Sequence, residues 1–254
     1  MENQLEIIDN LQKILPSGAK ILKIEDYYST PAIIVADLDK DGVVEICVGY
    51  KLGNNIYVAI LKYTSKGWTI VDTIKGEGIG LSDMLAVAAE TPSVNNLVIG
   101  WKLTKDRSKL SIYKFLQNKV VNILNQDVYY NKLEVEDMEV KGVRDGIYEF
   151  ALWNHDKLDA YNINVYRLKN GKLEIYKDAY RGYFKGIVNY YLDLIDNQGA
   201  NPIYLYHLAN AEANSGRYND AVNTLNALLD SGNPYPSREE VLKLKSNYEK
   251  YKSA

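Results

Sequence analysis

The chain has one cysteine, two histidines, three phenylalanines and no long apolar run. With Cys47 alone, an intramolecular disulfide is excluded, and its place inside a hydrophobic segment predicts a small buried apolar group. No window approaches the roughly 18 consecutive apolar residues of a membrane-spanning helix. His155 and His207 stand alone, and no zinc spacing, GxSxG elbow or phosphate loop occurs. Gly76, Gly78 and Gly80 make a GxGxG run without a GxGxxG, which predicts a flexible link between repeats rather than a nucleotide cradle. Neither charge sign dominates: 30 Lys and Arg are mixed among 33 Asp and Glu, for a net charge of −3. That leaves no basic field for nucleic acid or an anionic membrane. The opening ENQLEIIDNLQKIL carries acids where a signal peptide has a basic flank, so the chain as it stands reads as soluble, without membrane insertion. A cell-surface or extracytoplasmic location would require a leader or lipobox removed upstream; the alternative is cytoplasmic.

What is present is repetition. Three segments share anchors: DKDGVVEICVGYKLGNNIYVAILKYTSKGWTIV, VNNLVIGWKLTKDRSKLSIYKFLQNKVVNI and VRDGIYEFALWNHDKLDAYNINVYRLKNGKLEIY. Gly49 to Gly100 is 51 residues and Lys62 to Lys114 is 52. A period of about fifty residues with four short strands per period is the signature of a propeller-like array. In block one the strands are expected near 31–38, 43–52, 55–64 and 68–74, with blocks two and three repeating them around 84–127 and 132–180. Asn54, Asn55, Gly67, Asn118, Asn170 and Gly171 supply the turns. Closed propellers need about four blades or more, so three blocks predict an open arc whose last edge is covered by helices.

The flanks are helical. Leu5, Ile8, Leu11, Ile14 and Leu15 recur at helical spacing over 3–15, and Pro16, Ser17 and Gly18 stop that helix; AKILKIEDYY follows as a strand. From about residue 182 the period changes from two to 3.6. Leu208, Ala209, Gly216, Tyr218, Ala221, Leu225 and Leu228 fit one tetratricopeptide-like hairpin, with Gly216 in its turn. One such unit cannot bury its own apolar face, so GIVNYYLDLID and REEVLKLKSNYEKYK are expected to stack beside it. Ser237 with Glu240 makes a capping box. The expected fold is therefore mainly β with a C-terminal α domain: a helix over 1–18, an open array of three four-stranded antiparallel blades over 19–181, and a helical domain over 182–254.

The densest chemistry lies in DLDKDGVVEI, where acids alternate ahead of Gly42. A tight loop that turns every second residue inward brings such carboxylates onto one cation. The segment resembles the calcium loop of the FG-GAP or VCBS repeat family of integrin-type propellers. That resemblance implies carboxylates from Asp37, Asp39, Asp41 and Glu45, the backbone carbonyl of Val43, and one bound calcium that fixes a turn. The competing reading is a hydrated acidic hairpin turn, because Asp and Gly are ordinary turn formers. The aligned positions of block two (Ala88, Glu90, Pro92, Ser93, Asn96) and block three (Lys141, Val143, Asp145, Gly146, Glu149) cannot build the same cage.

Tyr50, Trp101 and Trp153 fall at similar places in the blocks, either as packing residues or as the lining of a glycan groove. Tyr190, Tyr191, Tyr204, Tyr206 and Tyr218 read as helix-interface aromatics or a peptide groove. The 22 tyrosines reflect genome base composition or a sugar-binding surface. Glu134, Glu136, Asp137 and Glu139 read as a solvated strand edge, and His207 as a helix-packing or surface residue. The function implied by the resemblance is non-enzymatic binding of protein or carbohydrate. The alternatives are a glycan hydrolase using a carboxylate pair and an intracellular adaptor working through the helices.

Overall fold

The computed structural model of the chain describes residues 2–24 and 29–251, with side chains from residue 6. The last four residues of the expected strand AKILKIEDYY, and the Leu5 side chain, lie outside the described residues. The molecule is mainly β, with several antiparallel sheets, no closed barrel among the described residues, and a helical C-terminal segment. Two compact units divide it: Met1–Leu133, Gly146–Tyr148 and Arg167–Glu174 form one, and Glu134–Asp145, Glu149–Tyr166 and Ile175–Ala254 the other.

The first sheet follows from block one. After helix α1 (Glu2–Ile14) come β1 (Lys20–Ile21), β2 (Lys23–Ile24), β3 (Thr30–Pro31), β4 (Ile33–Ala36), β5 (Glu45–Leu52), β6 (Asn55–Thr64) and β7 (Gly67–Lys75). The sheet order is β1-β5-β6-β7, with β4 also on β5, while β2 and β3 form a separate two-stranded ribbon. The sheet thus has five strands where four were expected, because the short β1 and β4 lie in series along one edge of β5. Block two gives β8 (Gly80–Val87), β9 (Asn96–Lys102), β10 (Ser108–Leu116), β11 (Lys119–Asn122) and β12 (Val128–Tyr130), in the order β11-β10-β9-β8 with β12 also on β10. Block three gives β13 (Lys132–Glu136), β14 (Glu149–His155), β15 (Tyr161–Lys169) and β16 (Lys172–Ile175), in chain order.

Alternation of side chains explains why the central strands are apolar throughout. In β5, Ile46, Val48 and Tyr50 pack on Leu11 of α1 and on Leu15 just after it, while Cys47 joins a core with Leu97, Ile99 and Trp101 of β9. A strand buried on both faces loses the polar alternation of a surface strand. Each fully buried Val, Ile or Leu contributes about 1.5–3 kcal/mol, so these strands carry much of the stability of the first unit. Cys47 is buried as expected, and burial pushes its thiol up to about 12.

In the second unit a 3-10 turn (Lys177–Ala179) leads into α2 (Tyr180–Gln198), then α3 (Pro202–Asn214), α4 (Tyr218–Asp230) and α5 (Arg238–Glu249). The expected boundary at 181/182 falls within the first turn of α2. Phe184, Ile187, Val188 and Tyr191 of α2 share a core with Ala151 and Trp153 of β14 and with Ile163 and Val165 of β15. Helix α3 is started by Asn201, whose side chain accepts from Ile203 N, with Pro202 at the first helical position. Helices α3 and α4 form the expected hairpin, turning at Gly216 with φ +86°. Ser237 caps α5, its Oγ accepting from Glu240 N at 3.2 Å and donating to Glu240 Oε2 at 2.6 Å.

The glycine run between β7 and β8 is not a flexible link. Gly76 N donates to Ile56 O at 2.8 Å and Ile79 N to Lys102 O at 2.7 Å. A Cβ on Gly76 would stand 2.1 Å from the Trp101 ring, so this residue is small because an indole occupies the space. A Cβ on Gly80 would meet nothing within 4 Å. Gly76→Ala should therefore cost about 1–3 kcal/mol through overpacking. Gly80→Ala should be near neutral, and urea unfolding of the two variants side by side checks the difference.

Candidate functional site

Three hydrogen bonds, one per sheet, locate the feature common to the blocks. Leu38 N donates to Glu45 Oε2 at 2.8 Å, Ala89 N to Asn96 Oδ1 at 3.1 Å, and Met138 N to Glu149 Oε2 at 2.8 Å. Glu45, Asn96 and Glu149 are each 0 % exposed and each begins the inner strand of its sheet. A long polar side chain at the strand head captures a backbone N–H of the incoming loop that would otherwise be buried without an acceptor. The match also corrects the alignment of block three: Met138 stands where Leu38 stands in block one, so Asp137, not Lys141, takes the place of Asp37, because the block-three loop is longer.

A basic residue follows the same logic. The pairs Ile46↔Leu61, Leu97↔Tyr113 and Phe150↔Tyr166 place Lys62, Lys114 and Arg167 at one equivalent position of the neighbouring strands. In the second sheet Lys114 Nζ lies 3.2 Å from Glu90 Oε2, and Asn96 Nδ2 donates to the same carboxylate oxygen at 3.4 Å. The first sheet is more developed. Lys62 Nζ lies 2.6 Å from Asp39 Oδ2, 2.7 Å from Asp41 Oδ2 and 2.9 Å from Glu45 Oε1.

The remaining oxygens of the aspartate loop are bound to its own backbone. Asp37 Oδ1 accepts from Lys40 N at 2.7 Å and Asp37 Oδ2 from Gly42 N at 2.9 Å. Asp39 Oδ1 accepts from Asp41 N at 3.3 Å, and Asp41 Oδ1 from Val43 N at 2.8 Å. Burial opposes charge on Lys62, but its hydrogen bonds to Asp39 and Asp41 and the charge of Glu45 outweigh it and hold the ammonium well above the usual lysine range. The Lys62 hydrogen bond, followed by the Val43 N–H, holds Asp41 below the usual carboxylate range. Asp37, Asp39 and Glu45 offer oxygens within 4.8 Å of one another, a set of hard donors that fits a divalent cation by type. Those of Asp39 and Glu45 surround the Lys62 ammonium, so a metal ion and Lys62 compete for the same atoms.

The aromatic candidates are packed. Tyr50 is 3 % exposed and stacks on Tyr57 at 5.3 Å in the core under α1. Trp101 is 2 % exposed, in the core shared by the first two sheets, and its Nε1 donates to Ser111 Oγ at 3.1 Å. Trp153 is 3 % exposed in the core beneath α2, its Nε1 donating to Tyr183 Oη at 2.8 Å. Trp153 lies four residues into β14, where β5 and β9 carry Gly49 and Gly100. Tyr50 and Trp101 lie five residues into their strands, so Trp153 faces the other side of its sheet. Tyr183 Oη in turn donates a hydrogen bond to Glu134 Oε2 at 2.5 Å, which ties that expected surface acid to α2.

Sequence reasoning missed two features. One is a cleft of about 530 Å³ in the first unit, walled by Trp101 and Ser111 and bordered by Asn122, Gln126 and Lys109. Lys109 Nζ sits there between Glu77 Oε1 at 2.9 Å and Asp127 Oδ1 at 3.0 Å. The other is a partly buried polar knot in the second unit, built on the buried His207. His207 Nε2 lies 2.8 Å from Asp156 Oδ2, and Tyr235 Oη donates to the same carboxylate at 2.7 Å. Tyr191 stacks on the imidazole at 5.7 Å. No sequence signal announces this contact between residues 51 positions apart. No protein-family model matches the chain, and no curated protein matches it. No helix among the described residues is long and apolar enough to cross a membrane.

Burial lowers the His207 pKa against the opposing pull of Asp156, so the unfolded chain takes up that proton first on acidification. Burial pushes Asp156 up, but its bonds to Tyr235 and His207 outweigh this and leave it below the usual range, so its contribution also fades at low pH. Stability supplied by the knot should be complete above about pH 6.5, where histidine is neutral in both states, and fall as the pH drops below that value. Chemical denaturation at a series of pH values should show this fall in the wild type and a shallower one in His207→Gln.

Proposed function

We propose that this protein is a non-enzymatic binding and scaffold protein that takes a carbohydrate-like, polyhydroxylated ligand in the cleft beside Trp101. The observation that carries the reading is the lining of that cleft. Amides from Asn122 and Gln126, the Ser111 hydroxyl and a lysine already neutralised by two acids surround a volume of about 530 Å³. Volumes of roughly 300–1,000 Å³ suit small-molecule ligands. A lining with mixed donors and acceptors and little net charge suits a ligand rich in hydroxyls better than an anion or a cation. Trp101 contributes shape rather than a stacking platform, since its ring is covered and its N–H is committed to Ser111.

The finer fold belongs to the same proposal: an open, propeller-like array of three FG-GAP-like sheets with tetratricopeptide-like helices at its C-terminal end. The repeated strand-head hydrogen bond supports common descent of the three sheets, and the aspartate loop supports the FG-GAP resemblance and an extracytoplasmic setting. Hydrolysis is the weaker reading of the cleft. A glycosidase needs one carboxyl as acid and another as base or nucleophile. Here Glu77 and Asp127 flank one ammonium and act as its charge partners.

A glycan array followed by calorimetry tests the assignment. The expected outcome is saturable binding to one class of glycan without turnover, weakened at least about tenfold in Gln126→Ala, the loss of one or two good hydrogen bonds. Lys109→Met should weaken it too, with the circular dichroism spectrum retained. Turnover of a bound glycan, or affinity unchanged in both variants, would remove the cleft as a non-catalytic sugar site.

A further inference from the structure

We infer that Lys62 is itself the cation of the aspartate loop: its ammonium holds the loop closed without metal, and its removal turns the same oxygens into a site for a calcium-like divalent ion. This inference is independent of the sugar-binding proposal, which concerns the cleft beside Trp101.

The division of the carboxylate oxygens carries it. Asp39, Asp41 and Glu45 each give one oxygen to a loop backbone N–H and aim the other at Lys62 Nζ. Three oxygens therefore converge on a group that has three protons to donate. Their distances, 2.6, 2.7 and 2.9 Å, are those of charge-assisted hydrogen bonds and ion pairs. Calcium takes about six to eight oxygens at roughly 2.3–2.6 Å. Both oxygens of Asp37 are held by the backbone and the three inward oxygens by Nζ, so such a shell can begin only where the ammonium is gone, with water completing it.

Glu45 supplies the second, independent observation. Its carboxylate is fully buried, and Oε1 has no aligned hydrogen bond although it stands 2.9 Å from Nζ. The contact is ionic, so this oxygen depends on a positive charge placed beside it. A buried carboxylate stripped of its counter-charge is costly, and the loss of Lys62 would leave that cost to be met by another cation. Register supports the assignment: the Ile46↔Leu61 pair brings Lys62 beside the head of β5, and the equivalent Lys114 also reaches an acid of its own loop.

The test uses the full chain and calcium, magnesium or chelator alone as probes. Wild type should show the same melting temperature in chelator and in millimolar calcium, and no calcium uptake by calorimetry. Lys62→Met should melt several degrees lower in chelator and recover a large part of that loss in calcium, with magnesium recovering less. Lys62→Arg, which keeps the charge, should remain indifferent to calcium. A calcium-dependent rise in the wild-type melting temperature overturns the inference, as does a Lys62→Met protein as stable as wild type in chelator. If Lys62→Met folds only when calcium is present, the inference is supported in its strongest form. If it folds under neither condition, nitrogen-15 spectra of wild type decide. A slowly exchanging Lys62 ammonium signal, absent in Lys62→Arg and unmoved by calcium, supports the inference, and its absence or its loss on adding calcium overturns it.

Discussion

A buried strand beginning creates a problem that each of the three sheets meets with the same interaction. Where β5, β9 and β14 enter, the incoming loop presents a backbone N–H that water does not reach, and an unsatisfied buried donor costs about 1–3 kcal/mol. Glu45, Asn96 and Glu149 accept that hydrogen bond from within the core. Once the acceptor is a carboxylate, a buried negative charge comes with it, and a cation on the neighbouring strand follows as a second requirement. In the first sheet Lys62 meets it directly. In the second the acceptor is the neutral Asn96, and the basic residue at the same position, Lys114, is turned instead to Glu90. The choice of amide or carboxylate at one position thus decides how much charge the adjoining loop gathers.

The same burial explains the flanking helices. A strand apolar on both faces needs a cover on each, and the first sheet receives α1 through Leu11 and through Leu15 at the helix end. The third block is covered in the second unit by α2, through Phe184, Ile187, Val188 and Tyr191. Two hydrogen bonds, Trp153 to Tyr183 and Tyr183 to Glu134, fix α2 on its sheet with polar contacts that an apolar core alone would not specify. The α3–α4 hairpin buries Tyr204, Leu208 and Ala211 toward α2, and Ala209, Leu225 and Leu228 toward α5. A helical hairpin is therefore stable here because both of its faces have neighbours.

Much of this fold is legible in the sequence because burial writes directly into residue order. The runs EICVGY, NLVIGW and EFALW give the inner strands, the helical spacing of Leu11 and Leu15 gives α1, and Gly216 and Ser237 mark a turn and a cap that the structure places as expected. Register one residue finer was not legible. Trp153 looked equivalent to Trp101, yet a single-residue offset in a strand reverses the face, and it serves a different core. The Asp156–His207–Tyr235 knot was invisible for another reason: its members come from segments far apart in the chain, and neither periodicity nor a short motif encodes their meeting. The glycines after β7 failed as evidence of flexibility because glycine reports missing space as readily as freedom, and at Gly76 the space belongs to Trp101.

The aspartate loop shows where reading a motif stops. Alternating acids before a glycine specify that carboxylates converge, and they do: Asp39, Asp41 and Glu45 aim oxygens at one point. The motif says nothing about what stands at that point, because convergence of negative charge requires only some positive charge, and an ammonium and a divalent ion meet that requirement equally at the level of sequence. The residue whose ammonium stands there, Lys62, lies outside the motif, on β6, and reaches the loop through the register of the β5–β6 hairpin. What separates the two cations is how many oxygens remain and at what distance. Because the loop commits one oxygen of each inward acid to its own N–H groups, the set left over matches the three donors of a lysine.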